Sequence, residues 1–401
     1  MDKLFIEDLP ISGKKVLMRV DFNVPLDPDL NVVDPTRIKA VLPSINYILD
    51  KGGSLILMSH LGRPKGAPTP EYSLAPCAKV LSALLNRPVQ MAPDCIGHHV
   101  ADLVSKLKPG DILLLENLRF HLAETHPKED PEFAKELASF GDFFVNDAFG
   151  TAHRKHSSTF TITEHFPGKA AAGYLLEKEI QFIGKALTEP KRPFYAMIGG
   201  AKISTKIGVL KSLLKKVDRL IVGGGMAFTF FKAKKIAIGN SLCEEDLVPI
   251  AEELLAEFGE KILLPVDCVI ATEMSEDAPT KIIDIADGIQ DGYQGLDIGP
   301  KSIRLFQDAL KDVATILWNG PFGVYEIEAF AKGTNAMAQT VASSKATTIV
   351  GGGDIIAALN AAELSDKISH ISTGGGATLE YIEFGTLPCI EALSDKAQIK
   401  T

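Results

Sequence analysis

Apolar residues in this chain follow two alternating patterns. Short unbroken runs rich in Val, Ile and Leu are separated by stretches in which apolar positions recur every third or fourth residue. The first pattern predicts strands at Val16–Phe22, Leu55–Ser59, Ile112–Glu116 and Phe143–Asn146. Six more follow at Phe194–Ile198, Leu220–Val222, Ile262–Val266, Thr315–Trp318, Thr347–Val350 and His370–Ser372. Unbroken apolar runs suit parallel strands covered on both faces. The second pattern predicts amphipathic helices at Pro131–Ser139, Lys206–Lys216 and Glu244–Phe258. Strands alternating with helices indicate an α/β chain with right-handed crossovers. At 401 residues, so many strands divide better into two sheets than one.

The division is expected near residues 174–192. Residues 175–187 read as one helix, which Glu189-Pro190-Lys191-Arg192-Pro193 ends. The expected architecture is two doubly wound, Rossmann-like parallel-sheet domains, over 1–174 and 191–385, joined by a connecting helix over 175–190. Composition adds exclusions. With 46% hydrophobic and 23% charged residues, the chain is that of an ordinary globular protein. Its net charge of -9 disfavours nucleic-acid or anionic-membrane binding, both of which want a basic field. The opening MDKLFIEDLP lacks the basic and apolar regions of a signal peptide, and no apolar run approaches a membrane span. Five dispersed cysteines without a CxxC disfavour a structural zinc site or disulfide framework and suit reduced thiols in the cytoplasm.

Charge type is unevenly spread: six of nine arginines and eight of nine histidines lie before residue 175. The guanidinium fork matches carboxylate and phosphate, so a small anion is expected there. Ligands of open α/β sheets bind beyond the carboxyl ends of the strands. In the first half these ends carry Asp21-Phe22-Asn23, His60-Leu61-Gly62-Arg63, Glu116-Asn117-Leu118-Arg119 and His153-Arg154. In the second they carry glycine: Gly199-Gly200, Gly223-Gly224-Gly225, Asn319-Gly320, Gly351-Gly352-Gly353-Asp354 and Gly374-Gly375-Gly376. Glycine turns leading into helices let backbone N–H groups approach phosphate, and five in one half point to a nucleotide. Neither GxxxxGK[ST] nor GxGxxG occurs, which disfavours P-loop enzymes and simple dinucleotide-binding dehydrogenases. Lys202 and Lys206, four apart after the first glycine pair, are expected on one helical face toward phosphates.

Along nearly its whole length the chain resembles the phosphoglycerate kinase family. The resemblance rests on VDFNVP, SHLGRP, LENLRF, DAFGTAHR, GGAKISTK, IVGGGMAFTF, GLDIGP, WNGPFGVYEIEAFAKGT, GGGD and STGGGA, in the family's order and spacing. It implies a monomeric cytoplasmic enzyme of glycolysis, moving the acyl phosphate of 1,3-bisphosphoglycerate to ADP, reversibly, to give 3-phosphoglycerate and ATP with Mg2+. It further implies a substrate site of Asp21, Phe22, Asn23, Arg37, His60, Leu61, Gly62, Arg63, Arg119 and Arg154. The implied nucleotide site comprises Gly200, Lys202, Lys206, Gly224, Gly295, Asn319, Glu326, Gly352, Gly353, Asp354 and Ile355. In that scheme Asp354 holds magnesium, Glu326 meets a ribose hydroxyl, and Gly375 lies near the transferring group. Segment 386–401 would pack back on the N-terminal domain. Two departures from the family stand out: Ile355 replaces a small hydroxyl residue, and Gly385-Thr386-Leu387-Pro388-Cys389-Ile390 replaces GKxLPGV.

Acyl phosphate transfer to ADP needs alignment, charge neutralisation and water exclusion, and no covalent intermediate. The absence of a Ser-His-Asp set therefore fits. Arg37 and Lys202 are expected to stabilise the moving phosphoryl from opposite domains, which must close on each other. The alternative is a catalytically inactive, nucleotide-responsive binding protein on the same fold. Intact arginines together with Lys202 and Asp354 favour the enzyme.

Overall fold

The apolar runs pair side by side as parallel strands. A computed structural model describes residues 2–398. By its contacts the chain falls into two units, residues 1–181 with 386–401, and residues 182–385. In the first unit, β1 (Lys15–Arg19), β2 (Ser54–Met58), β3 (Gln90–Met91), β4 (Ile112–Leu114), β5 (Phe143–Asn146) and β6 (Ala170–Ala172) form one sheet. Its order is β3-β4-β2-β1-β5-β6, every pair parallel. All five residues of β2 are buried, which is why its sequence is a continuous apolar run. Helices Leu42–Asp50 and Ala75–Leu85 pack Ile45, Ile48, Cys77 and Leu81 against the β1 and β2 side chains.

The second unit contains β7 (Phe194–Ile198), β8 (Arg219–Val222), β9 (Ile262–Leu263), β10 (Asp267–Ala271), β11 (Lys281–Asp284), β12 (Gln294–Ile298), β13 (Thr315–Asn319), β14 (Thr347–Gly351) and β15 (His370–Ser372). Six of these make a parallel sheet in the order β15-β14-β13-β7-β8-β9. The other three form an antiparallel sheet, β11-β10-β12, that the apolar runs do not predict. Trp318, Phe306, Phe322 and Met337 fill the core beside the parallel sheet.

Residues 175–187 are not one regular helix. An α-helix over Tyr174–Glu179 passes through a π-helical turn, Ile180–Gly184, into a last α-turn, Lys185–Thr188. Each π turn spreads its hydrogen bonds over one extra residue, a feature invisible to apolar spacing. The chain end is held by the first unit: Lys3 Nζ donates to the carbonyls of Glu391 and Leu393 at 2.8 Å, and Cys389 N–H to that of Ala152 at 3.1 Å. Residues 399–401 of the segment expected there lie outside the described residues. No helix among the described residues is long and apolar enough to cross a membrane.

Candidate active site

In the first unit the carboxyl ends of β1, β2, β4 and β5 bring polar groups together. The Gly62 N–H donates to Asn23 Oδ1 at 2.9 Å, while the Gly62 carbonyl accepts from Arg119 Nη1 at 2.8 Å. Arg37 Nη1 meets Asp21 Oδ2 at 2.8 Å. Beneath them Arg19 is fully buried at the end of β1. Its Nε donates to Ser158 Oγ at 2.8 Å, and its Nη2 lies 3.2 Å from His60 Nδ1. Glu124, also fully buried, accepts from Ser158 Oγ at 2.7 Å and lies 3.8 Å from Arg19.

Positive charge exceeds what these carboxylates balance. Burial, aided by Arg19, Arg154 and Arg63, pushes Arg119 down to about 10. Burial and the same cationic surroundings hold His60 well below the usual histidine range and bring His156 to about 3. Both imidazoles are therefore neutral at pH 7. Arg119 Nε and His156 Nδ1 are buried without a hydrogen-bond partner. Unpaired buried polar atoms are costly, so such a pair beside an arginine cluster suits an incoming anion. Arg63 and Arg154 are exposed, with guanidinium charges free to reach a ligand.

In the second unit the glycine turns interlock at the carboxyl edge of the parallel sheet. Gly199 N–H donates to the Asn319 carbonyl at 2.9 Å, and Gly200 N–H to that of Pro321 at 2.8 Å. A cavity of about 290 Å³ opens beside them, lined by Gly200, Gly224, Gly295, Glu326 and Asp354. Its apolar walls are Phe228, Leu242, Met274, Leu296 and Val324, so the antiparallel sheet supplies one side through β12. Close approach demands glycine at 295, where an added Cβ would lie 2.1 Å from Phe228 Cζ. Gly352, with φ of 104°, caps the Gly353–Ala361 helix, whose first turn carries Asp354. Gly375, with φ of 56°, precedes the Gly376–Phe384 helix in the same way.

Several expectations need correction. Lys202 and Lys206 do not share a helical face, because the helix begins only at Ile207. Lys202 is exposed on the preceding turn, whereas Lys206 folds inward. Its Nζ donates to the Gly199 carbonyl at 2.7 Å and to Asn319 Oδ1 at 2.8 Å. Burial brings that ammonium down to about 8, with Asp354 opposing. Ile355 is fully buried in the core with Trp318 and Leu359, so only its backbone N–H can face a ligand. Leu61 and Phe22 are likewise core side chains. Phe22 already spends its N–H on Ser59 Oγ at 2.8 Å.

Sequence reasoning missed the buried Arg19–Glu124 pair, His156 and the apolar walls of the cavity. Arg19 had a signal, a charge inside an apolar strand run. Glu124 and His156 had none, since they meet Arg19 only through the fold.

Comparison with known proteins agrees over the whole chain. The sequence profile of the phosphoglycerate kinase family matches residues 6–384. A phosphoglycerate kinase of Chlorobaculum tepidum is 54% identical, covering 98% of this chain and 100% of that protein. One of Moorella thermoacetica is 53% identical over 99% of this chain and 100% of its own. Among solved structures, a phosphoglycerate kinase from Coxiella burnetii has a TM-score of 0.89 at 41% identity, covering 97% and 98% of the two chains. One from Pyrococcus horikoshii has a TM-score of 0.83 at 32% identity, with the same coverage. Nothing in these comparisons supports the catalytically inactive alternative.

Proposed function

The chain belongs to the phosphoglycerate kinase family and is a phosphotransferase, and from that premise we propose how its two units divide the reaction. The first unit holds the triose. His60, Arg63, Arg119 and Arg154 bind its non-reacting phosphate, while Asp21 and Asn23 meet its hydroxyl and carboxyl end. The observation carrying this reading is Arg119, set among Arg19, Arg63 and Arg154 with its Nε unpaired. The second unit holds ADP or ATP. The base enters the apolar cavity, Glu326 at its rim meets the ribose, and the glycine-turn N–H groups and Lys206 take the phosphates.

Asp354 suits magnesium. It offers an exposed, hard carboxylate at the cavity rim, near enough to Lys206 to oppose the fall in that lysine's pKa. When bound, the cation neutralises charge on the nucleotide phosphates. Among the protein's own groups, Lys202 and Arg37 stabilise the moving phosphoryl, and Gly375 presents backbone near it. In transfer, a β-phosphate oxygen of ADP forms the new P–O bond as the acyl P–O bond breaks, and the electron pair leaves with the carboxylate. No side chain need accept a proton. The protein's work is alignment, charge stabilisation and exclusion of water. We further assign it to the cytoplasm as a monomer, supported by five free cysteines and a negative net charge.

A coupled assay with 3-phosphoglycerate, ATP and magnesium tests the reading. Lys202→Ala is expected to lower kcat by at least ~100-fold, the scale of one lost transition-state donor, with little change in ligand binding. An unchanged kcat would remove Lys202 from the mechanism.

A further inference from the structure

On the first unit, on the segments next to the turn that carries Arg119, three groups of different chemistry converge. Asp94, Cys95 and His121 each present one ligand atom, and the three atoms lie within 4.8 Å of one another. Asp94 and Cys95 follow β3, while His121 stands on the turn after β4, the parallel neighbour of β3. Backbone bonds clamp these segments together: Ala92 N–H donates to the Leu114 carbonyl at 2.8 Å and Glu116 N–H to that of Asp94 at 3.3 Å. The His121 ring is doubly fixed, stacked on Phe133 at 5.1 Å and 2.6 Å from Asp94 Oδ1 through Nε2. Cys95 is fully buried from solvent, its Sγ donating to the Glu116 carbonyl at 2.9 Å, but Asp94 and His121 remain partly exposed. A cation therefore has a way in from the surface, toward a thiol that burial and the charges of Asp94, Glu124 and Glu116 keep protonated until an ion replaces its proton.

We propose that Asp94, Cys95 and His121 form a binding site for a borderline-soft divalent cation such as Zn2+ or Co2+. Oxygen, sulfur and nitrogen donors at roughly 2.0–2.3 Å from a tetrahedral ion stand about 3.3–3.8 Å apart. The present cluster reaches that spacing by side-chain rotation, as the Asp94–His121 contact opens and the thiol draws in. Binding replaces the Cys95 S–H bond by an S–metal bond and releases that proton to solvent; His121 Nε2 gives up the proton it directs at Asp94 and becomes a ligand, and the neutral ring then holds its one proton on Nδ1. Water completes the fourth position. The thiolate excludes Mg2+, which demands oxygen ligands. The site is thus separate from the nucleotide and its magnesium. An ion there cross-links the loops after β3 and β4, the second of which carries Arg119.

Asp94 and Cys95 are neighbours, but His121 lies well beyond them in the sequence and no CxxC is present, so spacing along the chain gives no sign of the site. The test is titration of the full-length protein with Co2+, read by absorbance. One equivalent should produce tetrahedral d–d bands in the visible and a thiolate charge-transfer band in the near ultraviolet. Zn2+ should erase both, while a hundredfold excess of Mg2+ should leave them unchanged. Cys95→Ser and His121→Asn should each lose the bands, and Cys243→Ser should keep them. The partly exposed His121 carries the test if the buried Cys95 variant fails to fold. Absence of the bands in the unaltered protein, their persistence in His121→Asn, or their loss to Mg2+ would overturn the proposal.

Discussion

Ile355 and Lys206 lie at the same sheet edge, yet the fold turns one side chain away from the ligand and the other under it. Ile355 occupies the first turn of its helix with Asp354, but its side chain points inward with Leu359, one helical turn on. Ile355→Thr would bury a hydroxyl among apolar groups, so stability should fall by about 1–3 kcal/mol. Nucleotide affinity should hold, because the backbone N–H remains. Thermal unfolding and nucleotide calorimetry read the two effects separately; a gain in affinity at unchanged stability would return this side chain to the ligand. The motif GGGD was legible in the sequence, and so was the 355–359 spacing. What was not legible is that the helix axis sends that face into the core. Lys206 makes a pH prediction. Its ammonium titrates at about 8 in the fold instead of 10.5. Between those values the unfolded chain binds the proton and the fold does not, so this group's cost to stability is full below pH 8 and relieved as pH rises toward 10.5. Nucleotide binding takes the opposite sign. Affinity should decline above pH 8 as the ammonium is lost, and Lys206→Arg, charged throughout, should flatten that decline in calorimetry at pH 7 and 9.

At the level of elements, ten of the twelve parallel strands were readable because burial on both faces makes them unbroken apolar runs, whereas the partly exposed Gln90–Met91 and the three alanines of Ala170–Ala172 were not. Phe143–Asn146 and Phe194–Ile198 have the same limits in sequence and structure. The antiparallel sheet was not readable. In β11 no residue is fully buried and Ile282 is 59% exposed, while β12 opens with Gln294-Gly295. Such strands carry neither a continuous nor a clean alternating pattern. This sheet nevertheless forms a wall of the cavity proposed for the nucleotide, which the glycine turns alone could not enclose. Gly295→Ala tests that wall. Its new Cβ would overlap the Phe228 ring, and relief by displacing either costs about 1–3 kcal/mol in a packed site. Nucleotide dissociation constants should rise roughly tenfold or more, with 3-phosphoglycerate binding unchanged. Equal nucleotide affinity in the variant would mean that β12 does not bound the occupied pocket.

Across the whole molecule, the unequal division of arginine and glycine along the chain carries over to its two units. Guanidinium groups gather at one sheet edge and glycine turns at the other, as the sequence already implied. The buried partners Glu124 and His156 were out of reach because their relation to Arg19 exists only after folding. From this division follows a prediction about motion. Reacting atoms must approach to roughly 3–3.5 Å for transfer. If triose and nucleotide each bind a different unit, neither ligand alone contacts both, and neither alone strongly favours a closed state. Bound together they add contacts that exist only when the units have closed, so the population should shift. Small-angle scattering should then give a smaller radius of gyration with 3-phosphoglycerate and magnesium nucleotide together than with either one. Lys202→Ala, which removes a group proposed to act on the moving phosphoryl, should bind both ligands and still contract, separating closure from chemistry. Equal radii in the free, singly bound and doubly bound protein would sink the division of ligands between the units, whatever the catalytic rate.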